Sequence, residues 1–228
     1  MRLPALRKLS ALALLAASAG FAAEPTLEST LSLMDQASAG FKSFKADLRK
    51  VAHTDVVDKD DIDSGTIAVK RNKPHDLHLR IDLKEPRQQT VTIGDGKLII
   101  FSPLVNEAQT ADLGKDRSLV DQFFLLGFGS TSAELKSAYT VTFGGAETVN
   151  GEKTTRIVLV PKDKEMLTHV KRCELWISEK GTTVQQKFHT GGKDYQLATY
   201  SHIALNPSIS DSAVKLDLPK NVKITKLK

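Results

Sequence analysis

The chain has 228 residues, 40% of them hydrophobic, with 32 basic and 27 acidic side chains for a formal net charge of +5, and one cysteine. That apolar content supports a sizeable core, and a single thiol excludes an intramolecular disulfide framework. Lys and Arg are scattered among Asp and Glu without a basic stripe or interleaved aromatics, so nucleic-acid binding has no support.

The first segment reads as an export leader. Arg2, Arg7 and Lys8 precede an apolar run from Leu9 to Ala19, and Gly20-Phe21-Ala22-Ala23 supplies the small residues of a signal-peptidase site. Cleavage after Ala22 leaves residues 23–228 as one domain, with cleavage after Ala23 as the near alternative, and the expected location is the periplasm. The competing reading, a transmembrane anchor, needs roughly 20 apolar residues, more than this run holds. Without its three leader cations the chain carries 29 basic against 27 acidic residues, a charge of +2. Lipid anchoring needs a cysteine at the cleavage site. Cys173 is far from it and reads as a buried small hydrophobe in a strand, with a reactive thiol as the alternative.

A helix is expected next, with Pro25 in its first turn and Leu27, Leu31, Met34 and Phe41 at helical spacing. Around Phe41 the period changes: Phe44, Ala46 and Leu48 alternate with Lys45, Asp47 and Arg49, the pattern of a half-buried strand. Val51 to Ser64, with Asp58, Asp60, Asp61 and Asp63, reads as a solvated loop. Gly65 to Arg71 is a strand broken by Pro74. Leu77, Leu79, Ile81 and Leu83 then alternate with His78, Arg80 and Asp82, which predicts a sheet with one apolar and one wet face. Gln89–Ile93 and Lys97–Phe101 flank Gly94-Asp95-Gly96, a tight-hairpin signal, and Val105–Leu113 returns as a strand.

The pattern then turns helical: Leu119, Val120, Phe123, Phe124 and Leu126 crowd into less than three turns, ended by Gly127 and Gly129. Ser132 to Ser137 adds a short helix. Strands resume at Tyr139–Phe143, Ala146–Val149, Thr154–Val160, Arg172–Ser178, Thr182–His189, Tyr195–Leu205 and Val214–Leu218. The expected architecture is β-rich α+β: a curved antiparallel sheet of about eleven strands forming an incomplete barrel, its apolar face covered by helices that act as lid and plug. Alternation leaves open whether that face encloses a packed core or a ligand cavity.

Catalytic and metal constellations do not emerge. His75 and His78 would face opposite sides of one strand, and His53, His169, His189 and His202 are isolated. Gly127-Phe128-Gly129-Ser130 lacks the third glycine of a dinucleotide loop, the lysine of a phosphate loop and the pattern of a nucleophile elbow. The acidic cluster lacks the glycine and terminal glutamate of a calcium loop. No enzyme activity, metal or cofactor is expected.

The order of these segments resembles the periplasmic outer-membrane lipoprotein carrier family, LolA. The resemblance is densest over Gly65-Thr-Ile-Ala-Val-Lys-Arg71, Pro74, Pro86, the Ile93-Gly94-Asp95-Gly96 hairpin and Phe101-Ser102-Pro103 to Asn106-Glu107-Ala108. It continues through Phe123-Phe124-Leu125-Leu126 to Leu216-Asp217-Leu218-Pro219. It implies a monomer whose apolar cavity shields the acyl chains of lipoproteins, accepted from an inner-membrane ABC transporter and passed to an outer-membrane acceptor lipoprotein. Leu77, Leu79, Ile81 and Leu83 would line one wall of that cavity, with Ile93, Ile100, Phe123 and Phe124 nearby. In the family a basic residue at a strand end, typically arginine directly before proline, holds the lid shut. Arg71 is its counterpart and Lys73 the rival, because Asn72 and Lys73 intervene before Pro74. Two other readings are a carrier or sensor of a different lipid or glycolipid on the same fold, and a non-transporting structural module of the envelope with a filled barrel. A hydrolase is the remaining alternative.

Overall fold

The computed structural model describes residues 24–73, 76–113 and 126–227; the segment read as a leader, His75, Phe123 and Phe124 lie outside them. Helix α1 (Leu27–Ala39) starts at Thr26, whose side chain accepts from the Ser29 amide while the Ser29 hydroxyl accepts from the Thr26 amide. This reciprocal cap satisfies two amides that have no partner within the helix. Pro25 therefore sits just before the cap and not in the first turn. Leu31 and Met34 face inward, and Phe41 lies beyond the helix end.

Strands β1 (Ser43–Thr54), β2 (Lys59–Lys73), β3 (Asp76–Glu85), β4 (Gln89–Gly94), β5 (Lys97–Ser102) and β6 (Glu107–Asp112) form a meander. After the second short helix, α2 (Ser132–Ala138), come β7 (Tyr139–Val149), β8 (Glu152–Pro161), the one-turn helix α3 (Met166–His169), β9 (Arg172–Ser178), β10 (Thr183–Gly191) and β11 (Asp194–Leu205). β11 pairs with β1 and joins the two meanders, and β12 (Lys223–Lys226) adds to β6. The result is one curved sheet in the order β12-β6-β5-β4-β3-β2-β1-β11-β10-β9-β8-β7, with β12 and β7 as its open edges.

The differences from expectation lie where both faces of a strand are wet. Val51–Ser64 is not a loop. β1 and β2 run as a long hairpin to a turn at Asp55–Val57, and Asp60, Asp61 and Asp63 stand in the ladder opposite His53, Ala52 and Lys50. Its outer rungs are exposed, so no apolar alternation marks them. Tyr139–Val149 is one strand with a bulge between Phe143 and Gly145 in place of two. Val105 closes a turn at Pro103–Val105, and the return strand begins at Glu107. Val214 ends a turn at Asp211–Val214 where a strand was expected, and the last strand is the short, lysine-flanked β12, paired parallel to β6.

One face of the sheet carries the core. Phe44, Leu48, Ile67, Val69, Leu79, Leu83 and Ile93 form its first half. Ile157, Leu159, Cys173, Leu175 and Ile177 form the second half, covered by Leu31 and Met34 of α1 and Leu135 of α2. Cys173 is 1% exposed and its thiol is pushed up to about 12 by burial, so it is held as a neutral apolar filler. The outer face is tied by polar contacts. Burial raises the Glu174 carboxyl, but hydrogen bonds from His189 and Arg156, with Arg172 alongside, outweigh it and hold the group below its usual range. The C-terminal segment crosses β2 and β3 on this face, fastened by Lys70–Asp211 and by Arg80 donating to the Lys215 carbonyl at 2.7 Å.

Gly65 lets β2 approach β3 at a register shift. A methyl added there would lie 2.0 Å from the Asp82 carbonyl oxygen and 2.8 Å from Leu83 Cα, both backbone atoms that cannot rotate away. Gly65→Ala is expected to destabilise the fold by about 2 kcal/mol or more, read as a lower urea midpoint. An unchanged midpoint would show that the close approach is not kept in solution.

Candidate functional site

Side-chain alternation puts Leu77, Leu79, Ile81 and Leu83 on one face of β3. The ladder aligns them with their neighbours: Leu79 lies between Val69 and Ile93, and Ile81 between Ile67 and Val91, with Ile100 next in the same row. All six sequence-selected residues within the described chain (Leu77, Leu79, Ile81, Leu83, Ile93 and Ile100) belong to one apolar cluster. Leu79, Ile81 and Leu83 line an open cleft together with Leu48, Ile67 and Val91, faced by Phe188, Ala198 and Tyr200 of β10 and β11. Leu77, Ile93 and Ile100 pack behind or beside it. Phe123 and Phe124 fall outside the described residues.

The cleft holds about 140 Å³, close to the cavity of about 150 Å³ that admits a single benzene ring in a dry protein core. A long acyl chain needs more room than that. Its end near the start of β1 is stopped by three aromatic rings: Phe44 and Phe128 at 4.8 Å between centroids, Phe128 and Tyr200 at 5.4 Å, and Phe44 and Tyr200 at 5.6 Å, with tilted and edge-on geometry. Phe128 belongs to the segment 126–130 at the end of the apolar run read from the sequence. Leu126 and Phe128 are buried, so this segment plugs the concave face. Tyr200 donates to Gln186 Oε1 at 3.0 Å, and Gln186 Nε2 donates to the Leu126 carbonyl. Full burial pushes the Tyr200 phenol above its usual range, keeping it a neutral donor.

Arg71 fastens this segment. It leaves the end of β2, lies 5.1 Å over the Phe41 ring, and donates from Nη2 to the Gly129 carbonyl at 2.7 Å and from Nη1 to the Ser38 carbonyl at 3.3 Å. The Ser38 hydroxyl donates to the same Gly129 oxygen at 2.5 Å. One guanidinium thus ties the C-terminal turn of α1 to the plug. Its Nε is buried without a hydrogen-bond partner, which makes the arrangement less favourable than a fully bonded arginine. Lys73, the rival, is an exposed residue at the end of β2, opposite Asp76.

Reading the sequence missed Phe44, Tyr200, Gln186, Ser38 and the acceptor Gly129 as parts of this site. The Gly-Phe-Gly that ends the apolar run was the available signal. Gly129 has φ +71°, and a methyl on it would lie 2.3 Å from Arg71 Nη2 and 2.8 Å from Phe41 Cδ1. Among the described residues no group of three or more His, Cys, Asp or Glu is placed to hold a metal ion.

No protein-family model matches the chain, and no curated protein matches it. Among solved structures it is similar to MucB, at 14% identity and a TM-score of 0.53 over 86% of this chain and 64% of that one. It is also similar to an uncharacterized conserved protein from Thermus thermophilus, at 9% identity and a TM-score of 0.54 over 88% and 98% of the two chains. The third is the lipoprotein LppX from Mycobacterium tuberculosis, at 13% identity and a TM-score of 0.50 over 82% and 100%. The chain spans 64% of the length of MucB. At these identities the likeness is one of fold alone: a curved, unclosed antiparallel sheet with a helical cover.

Gly129→Ala is expected to loosen the plug, because the added methyl displaces Arg71 and a left-handed alanine costs about 1–2 kcal/mol. Native-state hydrogen exchange should show faster exchange across residues 126–130, with the β9 and β10 amides unchanged. Equal protection of residues 126–130 in both proteins would mean that Arg71 does not hold this segment.

Proposed function

We propose that this chain is a non-enzymatic acyl-chain carrier of the bacterial cell envelope, exported to the periplasm by its leader. In the form implied by the LolA resemblance, its cargo is acylated lipoproteins, taken from an inner-membrane ABC transporter and delivered to an outer-membrane acceptor. The observation that carries the reading is an apolar concave face covered by a plug whose fastening is a small set of polar contacts centred on Arg71.

The energetics suit such a task. At about 0.8 kcal/mol per methylene, a long acyl chain strongly resists transfer into water, so a carrier has to match that burial and still let go. Here the cargo and the plug compete for one wall. Loading displaces residues 126–130 from Phe44 and Tyr200, and unloading lets the plug return and Arg71 regain its two carbonyl acceptors. Those hydrogen bonds belong to the closed arrangement and so favour release. A filled structural barrel is a poorer account, because the cleft between β3 and β11 stays open beside apolar side chains.

Two outcomes test the reading. Ile81 is half-buried on the cleft wall, so Ile81→Asp tolerates folding while placing a charge where cargo would lie. It should weaken binding of a fluorescent fatty-acid probe by at least about tenfold; full binding by the folded variant would remove this wall from the site. Arg71→Leu should load cargo at least as well as the parent and release it about tenfold more slowly to an acceptor, since a charge-assisted hydrogen bond contributes about 1.5–3 kcal/mol to closure. Normal release by Arg71→Leu with failure of Lys73→Leu would move the latch to the rival residue.

A further inference from the structure

The cleft is not the same at its two ends. At the start of β1 it is stopped by Phe44, Phe128 and Tyr200. Toward the opposite end, where the β1–β2 and β3–β4 turns lie, the apolar row gives way to a lysine. Lys50 stands two residues beyond Leu48 on the same face, opposite Ala198 of β11 and Asp63 of β2, and lines the cleft with Gln89 and Gln196. This lysine ends the alternation of buried and exposed residues that β1 keeps from Phe44 to Arg49.

The carboxylate facing Lys50 is already engaged. Asp63 is 1% exposed and is gripped by Arg87 of the β3–β4 turn, through Nη2 at 3.2 Å and Nε at 3.4 Å. Among the described residues no carboxylate forms an ion pair with Lys50. Of Lys50, Asp63 and Arg87, the carboxylate is taken by Arg87, and Lys50 borders the apolar cleft.

We propose that Lys50 receives the anionic head of the cargo, a carboxylate or phosphate, while the acyl tail runs along the β2–β3–β4 wall toward the Phe44–Phe128–Tyr200 end. The inference rests on the acyl-carrier reading and narrows it: the ligand is an anionic amphiphile held in one orientation, head at the turn end and tail at the plug. Beside low-dielectric walls an ion pair is stronger than on open surface, and selectivity comes from the difference between a charged and a neutral head on the same tail. Arg87 serves as a positioning residue, keeping Asp63 from neutralising Lys50.

The test compares palmitate, hexadecyl phosphate and hexadecanol, three amphiphiles with the same chain length, on the intact mature protein by displacement of a fluorescent probe at mildly alkaline pH. Palmitate and hexadecyl phosphate should each bind about fivefold tighter than hexadecanol, the effect of about 1 kcal/mol from one partly solvated ion pair. Lys50→Gln should abolish that advantage and leave hexadecanol unchanged, and high salt should shrink it in the parent alone. Arg87→Gln should also reduce it, because Asp63 then turns to Lys50; a merely structural Arg87 would leave the charged-to-neutral ratio intact. A preference for palmitate alone would mark a carboxylate site, and one for hexadecyl phosphate alone a phosphate site. Equal affinities for all three, unmoved by Lys50→Gln, would overturn the head-group assignment and leave the carrier reading standing. Failure of all three to bind would overturn both.

Discussion

A sheet that curves without closing leaves an apolar concave face that water would otherwise reach, and covering that face governs the rest of the molecule. β7 and β12, the two ends of the strand order, do not pair with each other, so the face is not sealed by closure. Helices α1 and α2 cover the β7–β10 half, where Ile157, Leu159, Leu175 and Ile177 are 0–1% exposed. The other half, over β2 to β5, has partly buried Leu77, Ile81, Val91 and Ile100. The two halves are thus unequal, with a dense core on one side and a wall that keeps accessible apolar surface on the other.

That inequality separates a braced half from a lightly covered one. On the outer face, Glu174 with Arg156, Arg172 and His189 ties β8, β9 and β10 together, and the C-terminal segment braces β2 and β3 from behind. Inside, the plug is held by aromatic contacts and by carbonyl oxygens that accept from Arg71, Ser38 and Gln186. When the plug lifts, water can take the place of these carbonyl acceptors, so each contact that breaks costs only its net contribution, about 1.5–3 kcal/mol for the charge-assisted one from Arg71. The arginine donates to two chain segments at once, Ser38 at the end of α1 and Gly129 in the plug, so release of one loosens the other. An apolar wall backed by a braced sheet and faced by a lightly fastened plug is the arrangement that the proposed carrier function rests on.

Much of the fold is legible in local pattern. The alternation of Leu77, Leu79, Ile81 and Leu83, the Gly94-Asp95-Gly96 turn and the Ser132–Ser137 helix all stand where the residues place them, because each follows from a period or a turn that acts over a few residues. Cys173 is buried for a similar reason, lying in a run whose inward positions are all apolar. What escaped was structure with both faces wet: the outer rungs of the β1–β2 hairpin, the joined strand Tyr139–Val149, and β12. There the strand is set by the partner it pairs with, which a one-dimensional pattern does not contain.

The site divides along the same line. The apolar wall and the basic residue at the end of β2 are properties of one strand or hairpin, and the amino-acid order by itself determines them. The latch is not. Ser38, Arg71 and Gly129 are far apart in the chain, and Phe44, Phe128 and Tyr200 come from three separate elements. The same holds for Lys50, which local pattern leaves as one more polar residue on a strand until Asp63 is seen to be taken by Arg87. Periodicity decides which side a residue faces. Only the curvature of the sheet and the return of the chain across it decide what it meets there, because contacts between distant segments depend on where the whole chain has gone.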